Sequence, residues 1–237
     1  MKNFAIIIPA FNEKQNLEIL TKHILKILPR ANIYIVDDSK DKDQIPYFKK
    51  KNKINYYLRK NKKGRGSAVI YGMKKALVNK KNQNFVEMDA DFSHSPKELI
   101  KNINFYHKNN FDLLISSRYL PSSKIIDWPL KRRIFSLLAN FLIGIVLKLN
   151  ISDYTNGYRI YSKRSVICIV KKCGKIGDGF IILSEILLTL KSQGYKIGEI
   201  SSIFKNRSRG KSNVNLRLIF GSLKGLLNLF LIKIKKK

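Results

Sequence analysis

Asp89 and Asp91 lie one residue apart, directly after the apolar run Phe85-Val86-Glu87-Met88. Alternate residues of an extended segment point to one side, so the two carboxylates can converge. Two hard oxygen ligands suit Mg2+ or Mn2+, with coordination sites left for substrate phosphates. Ser95 is placed as an N-cap and Pro96 as the opening of a helix. A lone Asp-x-Asp is more often a solvated turn. Here other stretches aim at the same place.

Phe4 to Ile8 is a continuous apolar, β-branched run, the pattern of a strand buried on both faces. It stops at Pro9, and Pro9-Ala10-Phe11-Asn12-Glu13 leads into a helix from about Lys14 to Leu28. Ile33 to Val36 is a second strand, ended by Asp37-Asp38-Ser39, and Ile54 to Leu58 a third. Gly64-Arg65-Gly66-Ser67-Ala68 enters a helix that reaches Val78. Phe85 to Met88 is the fourth strand, 96–107 a helix, and Phe111 to Ser117 the fifth strand. This alternation predicts an α/β fold, a mostly parallel sheet with flanking helices. Ligands of such sheets bind at the carboxyl ends of the strands, where Pro9, Asp37, Asp89 and Arg118 all fall.

The second half differs. Trp128-Pro129 precedes a predicted helix over 130–149 whose apolar positions Ile134, Leu137, Leu138, Phe141 and Ile145 recur at helical spacing. Arg132, Ser136 and Asn140 recur every four residues and form a polar stripe. The apolar part is shorter than the roughly 20 residues a bilayer span needs. Asp153 to Arg159 is a polar loop running into a short strand. A helix over 180–191 carries one acid, Glu185, and 197–204 reads as a strand. Arg207 to Ser212 is a basic loop, and an apolar tail over 216–234 is interrupted by Arg217, Lys224 and Lys233.

A chain of 237 residues is long enough for one α/β domain with a full core. Its 47 Lys and Arg against 16 Asp and Glu give a net charge of +31, which favours anionic partners. The basic residues are spread out, and no helix-turn-helix, zinc-finger or stacking motif accompanies them, which weighs against a nucleic-acid binder. Cys168 and Cys173 have no Cys or His at metal spacing and read as reduced thiols. No signal peptide is expected, because the N-terminus runs straight into a strand.

The set resembles the GT-A nucleotide-sugar transferases of glycosyltransferase family 2, and within them the dolichol-phosphate (polyprenyl-phosphate) mannose synthases. Pro9 to Glu13 is similar to Pro-x-Tyr-Asn-Glu, and Val36 to Ser39 to Val-Asp-Asp-Gly/Ser. Gly64 to Gly72 is similar to Gly-x-Gly-x-Ala-x-x-x-Gly. Met88 to Pro96 is similar to Met-Asp-Ala-Asp-x-x-His-x-Pro. Ser117-Arg118-Tyr119 resembles Gly-Ser-Arg-Tyr, with Ser116 in place of Gly. Trp128-Pro129, Arg132, Ser136 and Asn140 resemble an acceptor helix, and Asp153 to Arg159 the family's Asp-x-Thr-x-Gly-Phe/Tyr-Arg. Arg207 to Ser212 is similar to Arg-x-x-Gly-x-Ser-Lys, with Asn213 in place of Lys.

The resemblance implies transfer of a sugar, with mannose from GDP-mannose favoured, to a polyprenyl or dolichyl phosphate with inversion at C1. It implies donor contacts from Pro9, Phe11, Glu13, Val36, Asp37, Asp38, Gly66, Ala90 and Arg207. Asp89 and Asp91 would hold Mg2+ or Mn2+, with Ser93 a third candidate ligand, and together with Arg118 form the catalytic set. Arg118, Arg132 and Ser136 would clamp the acceptor phosphate. A lipid phosphate is already anionic and needs no general base, unlike a sugar hydroxyl, for which Asp153 is the one obvious candidate. UDP-glucose or a related donor, and a sugar-hydroxyl acceptor, are the alternatives. The expected organisation is a GT-A domain over 1–212, its nucleotide part about 1–118 and its acceptor part about 119–212, then a basic amphipathic helix over 213–237. The expected place is the cytoplasmic face of an anionic membrane, bound peripherally through interfacial helices.

Overall fold

The structure, a computed structural model, describes residues 3–39, 48, 52–60, 64–176, 181–206 and 216–235. The apolar runs become the central strands β1 (Asn3–Ala10), β2 (Asn32–Asp37), β3 (Ile54–Leu58), β4 (Asn82–Glu87) and β5 (Leu113–Ser117). Two later strands, β7 (Arg159–Ser162) and β8 (Ile197–Ser201), join them in one sheet ordered β3-β2-β1-β4-β7-β5-β8. All pairings are parallel except those of β7, which runs antiparallel to both β4 and β5. A small parallel pair, β6 (Lys124–Ile126) with β9 (Ile203–Lys205), stands beside it. The expected strand over 197–204 is thus two strands divided at Ser202, the first pairing with β5 and the second with β6.

Pro9 does not end β1, as expected, but continues it to Ala10. It has no N–H to give a neighbouring strand. The pairing with β4 finishes at Ile7–Glu87, while β2 remains paired as far as Ala10–Asp37. The proline falls where the β4 ladder has already ended, so no hydrogen bond is lost.

Helices cover both faces. On one side α1 (Lys14–Ile27) and α3 (Leu99–Lys108) pack Leu17, Leu20, Ile24, Leu99 and Ile103 on Ile6, Ile8, Ile33 and Ile35. On the other, α2 (Arg65–Val78), α5 (Lys163–Lys172) and α6 (Ile181–Ser192) bury Met73, Val166, Ile169 and Leu187 with Ile7, Phe85 and Leu113. Glu185, the lone acid of α6, is buried and accepts from the backbone N–H of Gly174 at 3.0 Å; burial pushes its carboxyl up.

The helix α4 (Leu130–Leu147) is amphipathic in the reverse of the usual sense. Its polar stripe faces inward: Asn140 is buried and Arg132 and Ser136 are half-buried. Ile134, Phe135, Leu137, Leu138, Phe141, Leu142 and Ile145 are exposed, Phe141 by 64%. A last helix, α7 (Leu216–Lys235), packs beside it, and Lys233 Nζ donates to the carbonyls of Val146 and Leu147 at 3.0 and 2.6 Å. Those carbonyls lack intrahelical partners at the end of α4, and the negative end of its dipole favours a cation there.

Candidate active site

The carboxyl ends of β1, β2, β4 and β5 lie along one edge of the sheet. The donor-candidate side is a set of interlocked turns. Asn12, at φ 59°, donates its N–H to Ser39 Oγ at 2.6 Å and so joins the turn after β1 to the turn after β2. Asp37 is fully buried; its Oδ1 accepts from the N–H and hydroxyl of Ser39, and its Oδ2 accepts from the Tyr56 hydroxyl at 2.6 Å. Asp38 takes a two-pronged contact from Arg59 at 2.5 and 2.6 Å. Arg59 also donates to Ser67 Oγ and to the carbonyl of Gly64, which ties these turns to the start of α2. Gly66 is needed there because a Cβ would lie 2.7 Å from Ile182 Cγ2. Pro9, Val36 and Ala90 are buried; Phe11 and Glu13 are half-buried.

The metal-candidate side follows β4. Phe92 adopts φ 62°, a left-handed conformation unusual for a bulky residue, which closes the turn in which Asp91 Oδ1 accepts the Ser93 N–H at 3.0 Å and hydroxyl at 2.6 Å. Ser93 therefore serves this turn. Asp89 is the more open carboxylate, its side chain 26% exposed. His94 is buried; its Nδ1 accepts the Asp89 N–H and its Nε2 pairs with Asn156 Oδ1 at 2.8 Å, so it braces the turn. Among the described residues no group of three or more His, Cys, Asp or Glu side chains is arranged to hold a metal ion. A complete protein cage is absent there. Two hard carboxylates at a strand end still fit a divalent ion of the Mg2+ type, which draws the rest of its shell from phosphate oxygens and water.

The acceptor-candidate side gathers around Trp128. Arg118, from the end of β5, is buried and held by Asp153 through Nε and Nη2, each at 2.8 Å. Its guanidinium carbon lies 5.5 Å from the centre of the Trp128 ring, and that of Arg132 lies 4.6 Å from the same ring. Arg132 Nη1 also donates to Asn206 Oδ1 at 3.0 Å. The Ser136 hydroxyl receives the Tyr119 hydroxyl at 2.7 Å. Asn140 ties the helix to the Asp153 loop by accepting from the Tyr154 N–H and donating to Thr155 Oγ1. The Trp128 indole N–H is buried without a hydrogen-bond partner among the described residues, on a ring that both guanidiniums approach.

Asp153 is wholly buried and also receives backbone N–H groups of Arg118, Thr155 and Asn156. Burial alone would raise its carboxyl, but the Arg118 charge and these hydrogen bonds hold it below the usual carboxylate range. A depressed folded value means that the pair stabilises the fold above the unfolded carboxylate value, about 3.9, and that this stabilisation is lost as pH falls through the lower folded value. Asp153→Ala leaves a buried guanidinium unpaired and is expected to lose about 3–5 kcal/mol of stability. A urea titration at pH 7 reads this as a lowered midpoint, and the gap from wild type should narrow below about pH 4.

The structure thus brings Arg118, Arg132 and Ser136 to one cluster, and Asp89 and Asp91 to one strand end. Arg207 and Asn213 lie outside the described residues. Sequence reasoning missed Arg65, whose guanidinium reaches both Glu87 Oε1 at 2.7 Å and Asp89 Oδ1. The available signal was Glu87 itself, a lone acid among the buried apolar residues Phe85, Val86 and Met88, which requires a buried cation nearby.

The mostly parallel sheet, its covering helices and the strand-end carboxylates define a GT-A-type α/β fold. The solved glucosyl-3-phosphoglycerate synthase of Mycobacterium tuberculosis superposes with a TM-score of 0.68 over 97% of this chain and 78% of that one, at 15% identity. That structure holds Mn2+, uridine diphosphate and phosphoglyceric acid. Residues 5–170 match glycosyl transferase family 2, and the chain belongs to that family. It is 34% identical over 232 residues to a dolichol-phosphate mannosyltransferase of Pyrococcus furiosus, covering 95% of this chain and 63% of that protein. It is 28% identical over 224 residues to a polyprenol monophosphomannose synthase of Mycolicibacterium smegmatis, covering 89% of this chain and 80% of that one. The chain thus spans less than two thirds of the archaeal relative's length.

Proposed function

We propose that this domain transfers a sugar, mannose from GDP-mannose in the favoured case, to a polyprenyl phosphate at a membrane surface, with inversion at C1. The names of the archaeal and mycobacterial relatives support the reaction class. The observation that carries the acceptor assignment is the state of Asp153. The one obvious base for a hydroxyl acceptor is buried and committed to Arg118. A phosphate acceptor needs no base, because its oxygen is anionic at neutral pH; it needs cations that align it with C1.

In this reading an acceptor phosphate oxygen forms a bond to C1 of the sugar as the bond from C1 to the β-phosphate breaks, and the nucleoside diphosphate departs. Asp89 and Asp91 would hold a divalent ion that offsets charge on the leaving diphosphate; the Mn2+ in the M. tuberculosis neighbour supports that choice. The turns built on Asp37, Asp38 and Arg59 shape the nucleoside end, and Arg207 is assigned to the diphosphate. Arg132, Ser136 and the Trp128 N–H receive the acceptor phosphate, with Arg118 beneath them fixed by Asp153. Residues 1–118 then form the donor half, 119–212 the acceptor half, and α7 is a basic membrane-facing helix.

The test is incubation with labelled GDP-mannose or UDP-glucose, each with a polyprenyl phosphate or a free sugar alcohol. Label from GDP-mannose should move into organic solvent only with the lipid phosphate. Transfer to the sugar alcohol instead would overturn the acceptor assignment. Arg132→Ala and Ser136→Ala should each raise the KM for lipid phosphate by about tenfold, the scale of one charge-assisted hydrogen bond, and leave the Kd for donor near wild type. Loss of donor binding with acceptor KM unchanged would assign α4 to the other substrate.

A further inference from the structure

The contacts of Arg65 are not explained by packing alone. It is the first residue of α2 and faces the strand-end carboxylates. Nε donates to Asp89 Oδ1 at 2.9 Å and Nη1 to Glu87 Oε1 at 2.7 Å. Nη2 lies 2.7 Å from the same Asp89 oxygen, yet it is a buried donor without a properly directed hydrogen bond. The guanidinium therefore grips Glu87 well and holds Asp89 through one oxygen, with one N–H misdirected. Glu87 cannot leave: it is wholly buried, and its Oε2 accepts the Tyr161 hydroxyl at 2.7 Å. The seat is shaped for the guanidinium, since a Cβ on Gly157 would come 1.9 Å from Nη2. Burial would lower the Arg65 pKa, but Asp89 and then Glu87 outweigh it and keep the group charged.

We propose that Arg65 is a positioning residue that occupies Asp89 in the donor-free protein and yields it when a divalent ion and a nucleoside diphosphate arrive together. The inference rests on the assignment of the metal to Asp89 and Asp91. A metal ion alone must compete with a guanidinium for the Asp89 carboxylate and sit beside its positive charge. A metal ion with a diphosphate brings the compensating anion, and a phosphate oxygen gives the misdirected Nη2 a proper acceptor. Glu87 keeps Arg65 anchored within reach during the exchange. Metal and nucleotide are therefore strongly coupled ligands, each raising the affinity for the other. Glu87 draws Arg65 away from Asp89, so neutralising Glu87 should make the metal bind less well, while removing the Arg65 charge should make it bind better.

The experiment measures Mn2+ uptake by the full chain from the electron paramagnetic resonance signal of the free ion, alone and with GDP or UDP. Wild type should bind Mn2+ alone weakly and at least about tenfold more tightly with a diphosphate. Arg65→Met should bind Mn2+ alone about tenfold more tightly than wild type and lose most of the coupling, whereas Glu87→Gln should bind Mn2+ alone more weakly than wild type. A general loosening of the fold would move both variants in one direction. Unchanged or weaker uptake by Arg65→Met, or unchanged or tighter uptake by Glu87→Gln, overturns the inference and leaves the metal assignment standing. If circular dichroism shows Arg65→Met unfolded, Glu87→Gln decides alone. Wild type that takes up no Mn2+ with either diphosphate, while still transferring sugar, removes the metal assignment and the inference together.

Discussion

Asp91→Asn should lower sugar transfer about a thousandfold or more, the upper range for losing one preorganised electrostatic contact to a developing charge. The fold should persist. Asp91 Oδ1 is the acceptor for the Ser93 N–H and hydroxyl, and an amide oxygen can take over both bonds. The turn set by Phe92 in its left-handed conformation is therefore retained, and the change in stability should stay within about 1 kcal/mol. What the amide cannot supply is the negative charge that a hard divalent ion requires. Circular dichroism and a thermal scan, run beside the label-transfer assay, separate the two effects. Excess EDTA should reduce wild-type activity in parallel. Full activity in EDTA, or an active Asp91→Asn, would remove the metal from the mechanism.

The half of the molecule that holds these carboxylates was readable because each of its strands announces itself locally. Ile6 to Ile8 and Ile33 to Val36 are runs rich in β-branched residues and buried on both faces, and each leads into a polar turn. The second half is harder for a physical reason. β7 has four residues, Arg159–Ser162, too few for a period, and its place between β4 and β5 is set by tertiary contacts. α5 follows it without a break and went unassigned, although Ser162 caps it through the Ser165 N–H. The Arg118–Asp153 pair joins residues 35 apart in sequence, and no local pattern encodes such a contact. Arg159 closes the family motif that begins at Asp153. Its guanidinium donates to the carbonyls of Asn156, Leu183 and Tyr154, locking the Asp153 loop onto α6. For α4 the period shows two faces but not which one looks inward; only the packing of Asn140 on the Asp153 loop decides it.

The outward apolar face of α4 leads to the other large expected effect, on membrane binding. Leu138 and Phe141 are 54% and 64% exposed, and Ile134, Phe135, Leu142 and Ile145 extend the same surface. Beside them α7 exposes Leu227, Phe230, Leu231 and Ile234. Among the described residues no helix is long and apolar enough to cross a membrane, so a bilayer contact through these helices would be interfacial. A half-exposed large apolar side chain that enters the interface contributes on the order of 1 kcal/mol, and each basic residue near an anionic surface about as much. Vesicles containing an anionic lipid should therefore bind the protein through both terms, and high salt should release only part of it. Leu138→Glu with Phe141→Glu should cut vesicle binding about a hundredfold, since each change removes apolar burial and adds repulsion. Both side chains are exposed, so thermal stability and donor binding should stay near wild type. Deleting residues 216–237 is a less direct test, because Leu229 is wholly buried and its loss would open the core. Unchanged vesicle sedimentation of the double variant would show that this face does not meet the bilayer. Protease protection of Lys235 to Lys237 in sealed inverted vesicles would place the tail across the membrane and overturn peripheral binding altogether.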